Sequence, residues 1–256
     1  MTVFHLATDL DGTWLPGPGQ VPDLRRLEAT LLAQPGAVLT FATGRTFLSA
    51  LEAIERWGLL PPQHLISDVG TALFHRRPDG SWEEDRAWAD RVAGHWDAGA
   101  AQRLLEAGLP DGLQVQPGLA PIRRLGLQRA AGADMADAGR KLHLACEAHG
   151  LKADILPSHD LYFDVLPPGV HKGAALAFLQ QTQDLPRPVV GCGDSANDLG
   201  LFEFADHPVL MPAGLDDREA PPALIRRARR ASFPGPRGIH EALAAFGLLD
   251  EEEHDH

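Results

Sequence analysis

The sequence predicts an α/β fold, a parallel-sheet core interrupted by a smaller inserted α+β unit. Three observations carry this. Short apolar runs of strand type alternate with helix-type segments at both ends of the chain. Acidic, glycine-bearing loops follow two of those runs, at the strand ends where an open α/β sheet binds ligands. From about Glu84 the alternation gives way to a hairpin-rich pattern. At 256 residues and 27.6 kDa the length permits one large domain or two smaller ones.

Taken in order, Phe4 to Ala7 predicts a strand, Leu24 to Leu32 a helix, Val38 to Ala42 a strand, Phe47 to Trp57 a helix and Leu65 to Ser67 a strand. Asp79-Gly80 predicts a hairpin turn between Ala72-Leu73-Phe74 and Trp82. A helical segment then runs to about Gly108. Candidate strands Leu113 to Gln116 and Arg123 to Gln128 follow, then a helix Asp134 to His149 and strands Lys152 to Leu156 and Leu161 to Val165. The core resumes with a helix Lys172 to Leu179 and a strand Val189 to Gly191. The expected division is a discontinuous core, 1–83 and 167–256, around an inserted unit, 84–166.

Chemistry enters at the first strand's end, in Asp9-Leu10-Asp11-Gly12-Thr13. Period-two geometry predicts that Asp9 and Asp11 point to the same side. Two carboxylates at close range raise one another's pKa unless a cation shares the site. Mg²⁺ suits them, since it takes oxygen ligands and is usually held by one or two carboxylates together with a substrate phosphate. One Asp can then attack phosphorus while the other moves a proton. The same pentapeptide also suits an ordinary turn.

Three more segments favour the chemical reading. Thr43-Gly44-Arg45 ends the second strand with a hydroxyl, free amides and a cation, an anion-binding arrangement that could equally be a helix cap. Lys172 opens a helix, where a cation opposes the dipole. It is one of three lysines, at 141, 152 and 172, against twenty arginines, so a compact ammonium is wanted there. Gly193-Asp194-Ser195-Ala196-Asn197-Asp198 follows a buried-type strand, with Asp194 in the loop and Asp198 about one turn into the next helix, facing the same pocket.

The order of these segments, D-x-D-G-T, T-G-R, K-G and G-D-x-x-N-D, resembles the haloacid dehalogenase (HAD) superfamily of Mg²⁺-dependent phosphohydrolases. The long stretch between Thr43 and Lys172 is similar to the subgroup with a C2-type cap inserted there. Asp9 to Trp14, Ser67-Asp68-Val69-Gly70-Thr71 and Asp164 to Gly169 most resemble the sucrose-phosphate phosphatase family. The resemblance implies a Rossmann-like parallel-sheet core with an α+β cap. It implies Asp9 as nucleophile, Asp11 as general acid/base and Lys172 as a catalytic cation. Thr43, Gly44, Arg45, Lys172 and Asn197 would bind the phosphoryl group. Asp9, the main chain of Asp11, and Asp194 would hold Mg²⁺, with Asp198 in the same metal cluster and positioning Lys172. Ala213-Gly214 departs from the pattern, in which an Asn is frequent, and the middle of the chain matches too thinly to transfer sugar-binding residues.

Composition narrows the rest. A hydrophobic content of 44% and a charged content of 23% are globular values. The formal net charge of -12 argues against nucleic acid and anionic membrane partners. The expected partner is a small-molecule phosphate ester, drawn in by local charge, and the oligomeric state is open. Met1 to Phe4 carry no positive start or cleavage site, so a cytoplasmic location is expected. Cys146 and Cys192 do not make a disulfide framework, and Cys192 is expected to be a buried structural thiol. Arg226 to Arg230 read as a solvated helix face, and Glu251 to His256 as a frayed end. Arg123, Arg124, His159 and Asp160 are polar candidates in the inserted unit, without assigned roles. The leading expectation is a phosphatase of a sugar or sugar-alcohol phosphate. A hexose phosphomutase and a phospho-accepting regulator are the alternatives.

Overall fold

The computed structural model describes residues 3–120, 122–215 and 221–249; Glu251 to His256 and the first two residues lie outside these. The chain opens with β1 (His5–Thr8), α1 (Val21–Leu32), β2 (Val38–Ala42), α2 (Phe47–Trp57), β3 (His64–Ser67), β4 (Ala72–Arg76) and β5 (Trp82–Glu84). It continues through α3 (Arg86–His95), α4 (Ala98–Ala107), β6 (Leu113–Val115), β7 (Leu125–Arg129), α5 (Met135–Ala148), β8 (Asp154–Ser158) and β9 (Tyr162–Leu166). It closes with α6 (Lys172–Thr182), β10 (Val189–Gly193), α7 (Leu199–Phe204), β11 (His207–Leu210), α8 (Pro222–Arg227), β12 (Arg229–Arg230) and α9 (Pro236–Ala245).

Eight strands form the core sheet in the order β12-β11-β10-β1-β2-β3-β4-β5. The first six are mutually parallel, and β4 and β5 return antiparallel through the Asp79-Gly80 turn. Leu24, Leu27 and Leu31 recur on one stripe of α1 and, with α2 and α9, bury one face of the sheet against Phe4, Leu6, Phe41 and Val190. Trp88 and Val92 of α3 and Leu176 and Leu179 of α6 bury the other face against Ala7, Ile66 and Val189. The result is an α/β/α sandwich, with β1 and β10 side by side at its centre.

The inserted segment carries its own antiparallel sheet, β6-β7-β9-β8. Leu125, Leu127, Phe163 and Val165 face α4 and α5. Alternation then gives Arg124, Gly126, Gln128, Tyr162 and Asp164 to the opposite face. The single helical segment expected before Gly108 is two helices, because Asp97 accepts the Ala100 amide at 2.8 Å and starts a new N-terminus. Arg226 to Arg230 do not form one solvated helix. Arg227 turns back to the carbonyls of Phe202, Glu203 and Ala205 at the end of α7, and Arg229–Arg230 pair with β11.

Candidate active site

Strand β1 stops at Thr8, so period-two geometry does not set the two carboxylates. A wide turn over Leu10–Trp14 does, with Gly12 at φ 74°. The Asp9 amide donates to the Cys192 carbonyl at 2.9 Å, which ties the first acidic residue to β10 and buries it. Asp11 swings the other way. Its half-exposed carboxylate takes a bidentate pair from Arg45, Nε to Oδ2 and Nη2 to Oδ1, both 2.7 Å. Donating to Asp11 in turn raises the pKa of Arg45.

Lys172 is fully buried at the first turn of α6, and its three ammonium protons each have an acceptor. Asp9 Oδ1 lies at 2.8 Å, Asn197 Oδ1 at 2.8 Å and Asp198 Oδ1 at 2.7 Å. Burial opposes the charge of Lys172, but Asp198 and Asp9 outweigh it and hold its pKa above the ordinary lysine value. Asp198 Oδ2 accepts the amides of Asp194 and Ser195 at 3.0 and 3.1 Å. Both of its oxygens are therefore engaged. Gly193 permits this fold-back, because a Cβ there would lie 2.5 Å from the Asp198 carboxyl carbon.

Carboxylate oxygens of Asp9, Asp194 and Asp198 all lie within 4.8 Å of one another. Burial raises the Asp9 pKa well above the usual carboxylate range; Lys172 works against the rise, and Asp198 and Asp194 reinforce it. Burial, reinforced by Asp198, pushes Asp194 up to about 6. Asp194 Oδ1 is buried without a protein partner. A Cβ on Gly12 would sit 2.2 Å from Asp194 Oδ2, so the turn leaves space only because residue 12 is glycine. An unpartnered carboxylate oxygen among raised-pKa neighbours is a site that a hard divalent cation fits.

Thr43 is buried at the end of β2, and its Oγ1 accepts the Arg45 amide at 3.1 Å. Among the described residues the Gly44 amide has no protein acceptor. Asp9, Asp11, Arg45, Arg124, Tyr162 and Asn197 line a cavity of about 530 Å³ between the two sheets. A larger, mostly apolar cavity of about 860 Å³ is lined by Asp194 together with Met135, Ile155, Phe163 and Leu199, and Ser158 and His159 line both cavities. Asp9, Asp11, Arg45, Arg124 and Asp164 face the smaller one, and Asp194 faces the larger. Of the residues expected from sequence, Asp9, Lys172, Asn197, Asp194 and Asp198 come together directly. Thr43 and Gly44 flank them, and Asp11 and Arg45 form a separate pair at the mouth. The linkage of Arg124 to Asp164, Asp68 and the Gly44 carbonyl was not legible, because its partners come from three distant segments. Cys192 is buried, and burial pushes its thiol pKa up, which suits a structural role.

The sheet order, the inserted unit and the acidic cluster at the ends of β1 and β10 are the architecture of the HAD superfamily. The chain belongs to the sucrose-6F-phosphate phosphohydrolase family, whose model matches residues 3–247. A solved Synechocystis sucrose-phosphatase, in complex with sucrose and phosphate, superposes with a TM-score of 0.80 at 28% identity, covering 98% of this chain and all of that one. The glucosylglycerol-phosphate synthase of Pseudomonas anguilliseptica is 31% identical over 96% of this chain. The probable sucrose-phosphatase 2 of Arabidopsis thaliana is 28% identical over 85% of it. The chain spans 31% of the length of the first of these relatives and 50% of the second.

Proposed function

We propose that the chain hydrolyses a phosphate monoester of a sugar or sugar alcohol, a sucrose 6-phosphate-like substrate, through an aspartyl-phosphate on Asp9. The observation that carries this reading is the ammonium of Lys172 held 2.8 Å from Asp9 Oδ1, beside the unpartnered carboxylate oxygen of Asp194. Asp9 attacks phosphorus as the ester oxygen leaves. Asp11, released from Arg45, protonates that oxygen and then takes a proton from the water that cleaves the acyl phosphate. Lys172, the Thr43 hydroxyl, the Gly44 amide and Asn197 hold the equatorial oxygens, and positioning with charge stabilisation is most of what phosphoryl transfer requires.

Asp9, Asp194 and the main-chain carbonyl of Asp11 would hold Mg²⁺. When bound, that ion neutralises charge on the transferring group. Asp198 acts from behind, fixing Lys172 and the Asp194 loop. The sheet β6-β7-β9-β8 with α4 and α5 is read as a cap over this site, and the boundary expected at residue 84 moves past α3, because Trp88 and Val92 pack on the core sheet. The family membership and the sucrose-phosphatase and glucosylglycerol-phosphate synthase relatives support a sugar-linked leaving group.

The test is phosphate release from p-nitrophenyl phosphate, sucrose 6-phosphate, glucosylglycerol phosphate, hexose phosphates and phosphoglycolate, with Mg²⁺ or EDTA and with Asp9→Asn alongside. Mg²⁺-dependent release that the substitution removes supports the reading, and the preferred ester names the leaving group. Absence of release from every ester overturns it.

A further inference from the structure

We infer that Arg124 is a positioning residue that couples the seating of the inserted sheet to the orientation of the phosphate-binding turn. This rests on the reading of Thr43 and Gly44 as phosphate ligands. Arg124 precedes β7, and its side chain is 6% exposed. Its guanidinium spans the two sheets. Nη1 pairs with Asp164 on β9, Nη2 donates to the Gly44 carbonyl at 3.2 Å, and Nε and Nη2 both reach Asp68 Oδ1 at 3.4 Å. One planar fork thus grips a strand of the inserted sheet and two segments of the core, a geometry an ammonium cannot reproduce.

The consequence follows from the peptide planes of the turn. The Thr43 carbonyl accepts the Val69 amide at 3.1 Å, the Arg45 carbonyl accepts the Asp68 amide at 2.8 Å, and Arg124 takes the carbonyl between them. In a trans peptide the N–H points opposite to the C=O. Val69 therefore turns the Gly44 amide away from itself, where among the described residues no protein acceptor meets it. Arg124 likewise turns the Arg45 amide onto Thr43 Oγ1 at 3.1 Å. With that lone pair occupied, the Thr43 hydroxyl is left to donate its single proton outward. The grip also sits over Asp68 and Val69, both left-handed at φ 51° and 60°, a conformation a β-branched residue adopts only when its surroundings impose it. Without Arg124 the Gly44–Arg45 peptide loses the hydrogen bond that ties it to the inserted unit.

The experiment measures inorganic phosphate binding by calorimetry in Mg²⁺, together with kcat and KM for p-nitrophenyl phosphate and for the preferred sugar ester. The proteins are wild type, Arg124→Ala, Arg124→Lys, Thr43→Val, the Arg124→Ala/Thr43→Val pair, and Arg123→Ala, whose guanidinium pairs with Glu84 instead. Arg124→Ala is expected to weaken phosphate binding and to lower kcat/KM for both esters by about tenfold, the weight of one charged hydrogen bond. Arg124→Lys recovers part of the loss, Arg123→Ala stays within about twofold, and in the Thr43→Val background Arg124→Ala adds less than about threefold. If Arg124→Ala does not fold, Asp68→Asn loosens the same grip from the core side and is expected to weaken phosphate binding in the same direction. Unchanged phosphate affinity, a loss confined to the sugar ester, or full additivity with Thr43→Val overturns the inference while leaving the phosphatase reading in place. A wild type that neither binds phosphate nor releases it overturns both.

Discussion

Lys172 and Asp198 meet at 2.7 Å with neither side chain exposed to solvent, and Asp198 in turn holds the amides of Asp194 and Ser195. Lys172 also bonds Asp9, so this buried cluster joins the start of α6, the residue just after β1 and the acidic loop after β10. Removing the cation leaves two buried carboxylates facing one another, which costs more than the pair contributes when intact.

Lys172→Ala is therefore expected to fail in two separable ways. Loss of one preorganised charge donor lowers kcat by roughly two to three orders of magnitude. Uncompensated burial of Asp9 and Asp198 lowers unfolding stability by about 3–5 kcal/mol. Steady-state kinetics and urea denaturation in EDTA check the two; a variant with near-normal kcat would remove Lys172 from the chemistry.

Asp9→Asn is expected to abolish turnover without loosening the fold. Burial, reinforced by the neighbouring carboxylates and opposed by Lys172, raises the Asp9 pKa, so keeping a charge at this position carries a cost in the metal-free chain. A neutral amide of the same shape removes that cost, and Lys172 keeps Asp198 as partner. The denaturation midpoint in EDTA at pH 7.5 should equal or exceed that of wild type. A large drop in midpoint would mean that Asp9 serves the fold more than the reaction.

Cation affinity should fall in acid. Asp194 is pushed up to about 6 in the metal-free chain, and a carboxylate must shed its proton to take a cation. Above that pH the affinity for Mg²⁺ is flat with respect to this group, and below it binding weakens by up to tenfold for each pH unit. Mg²⁺ titrations followed by calorimetry from pH 8 to pH 5 measure this. Asp194→Asn should bind weakly at every pH, and an unchanged affinity in that variant would place the ion elsewhere.

How much of this was legible in the sequence depends on how local each cause was. Residue spacing sufficed for β2 and α2, whose predicted limits, Val38 to Ala42 and Phe47 to Trp57, are the observed ones. The meeting of Asp9 with Lys172 needed the parallel pairing of β1 with β10, which motif order suggested and topology supplies. The outward turn of Asp11 was not readable, because it follows from the left-handed Gly12 and from Arg45, 34 positions away. Arg124 could be flagged as a polar residue in the inserted unit but given no role. Its meaning lies in three partners, at Gly44, Asp68 and Asp164, that no spacing rule brings together.

Beneath the site, His5 supplies a test of the core itself. Its ring is fully buried at the start of β1, with Nδ1 2.9 Å from Gln180 Oε1 and Nε2 2.7 Å from Thr40 Oγ1. Burial lowers its pKa to about 4, reinforced by Arg187 and opposed by the Gln180 hydrogen bond. The folded chain therefore holds His5 neutral at a pH where the unfolded chain, near 6.5, takes up a proton. Between those values the unfolded state binds more protons, so this group's contribution is complete above about 6.5 and is lost as pH falls toward 4. From pH 7.5 to pH 5 the loss is about 2 kcal/mol. Carboxylates with raised pKa values, Asp194 among them, act with the opposite sign over part of the range, so the wild-type slope alone does not isolate His5. His5→Gln shares those carboxylates and lacks the imidazole. Urea denaturation at the two pH values should show wild type losing about 2 kcal/mol more than the variant, whatever the variant's absolute stability. Equal losses would mean that His5 is charged in the folded chain or that the strand opens to solvent around it.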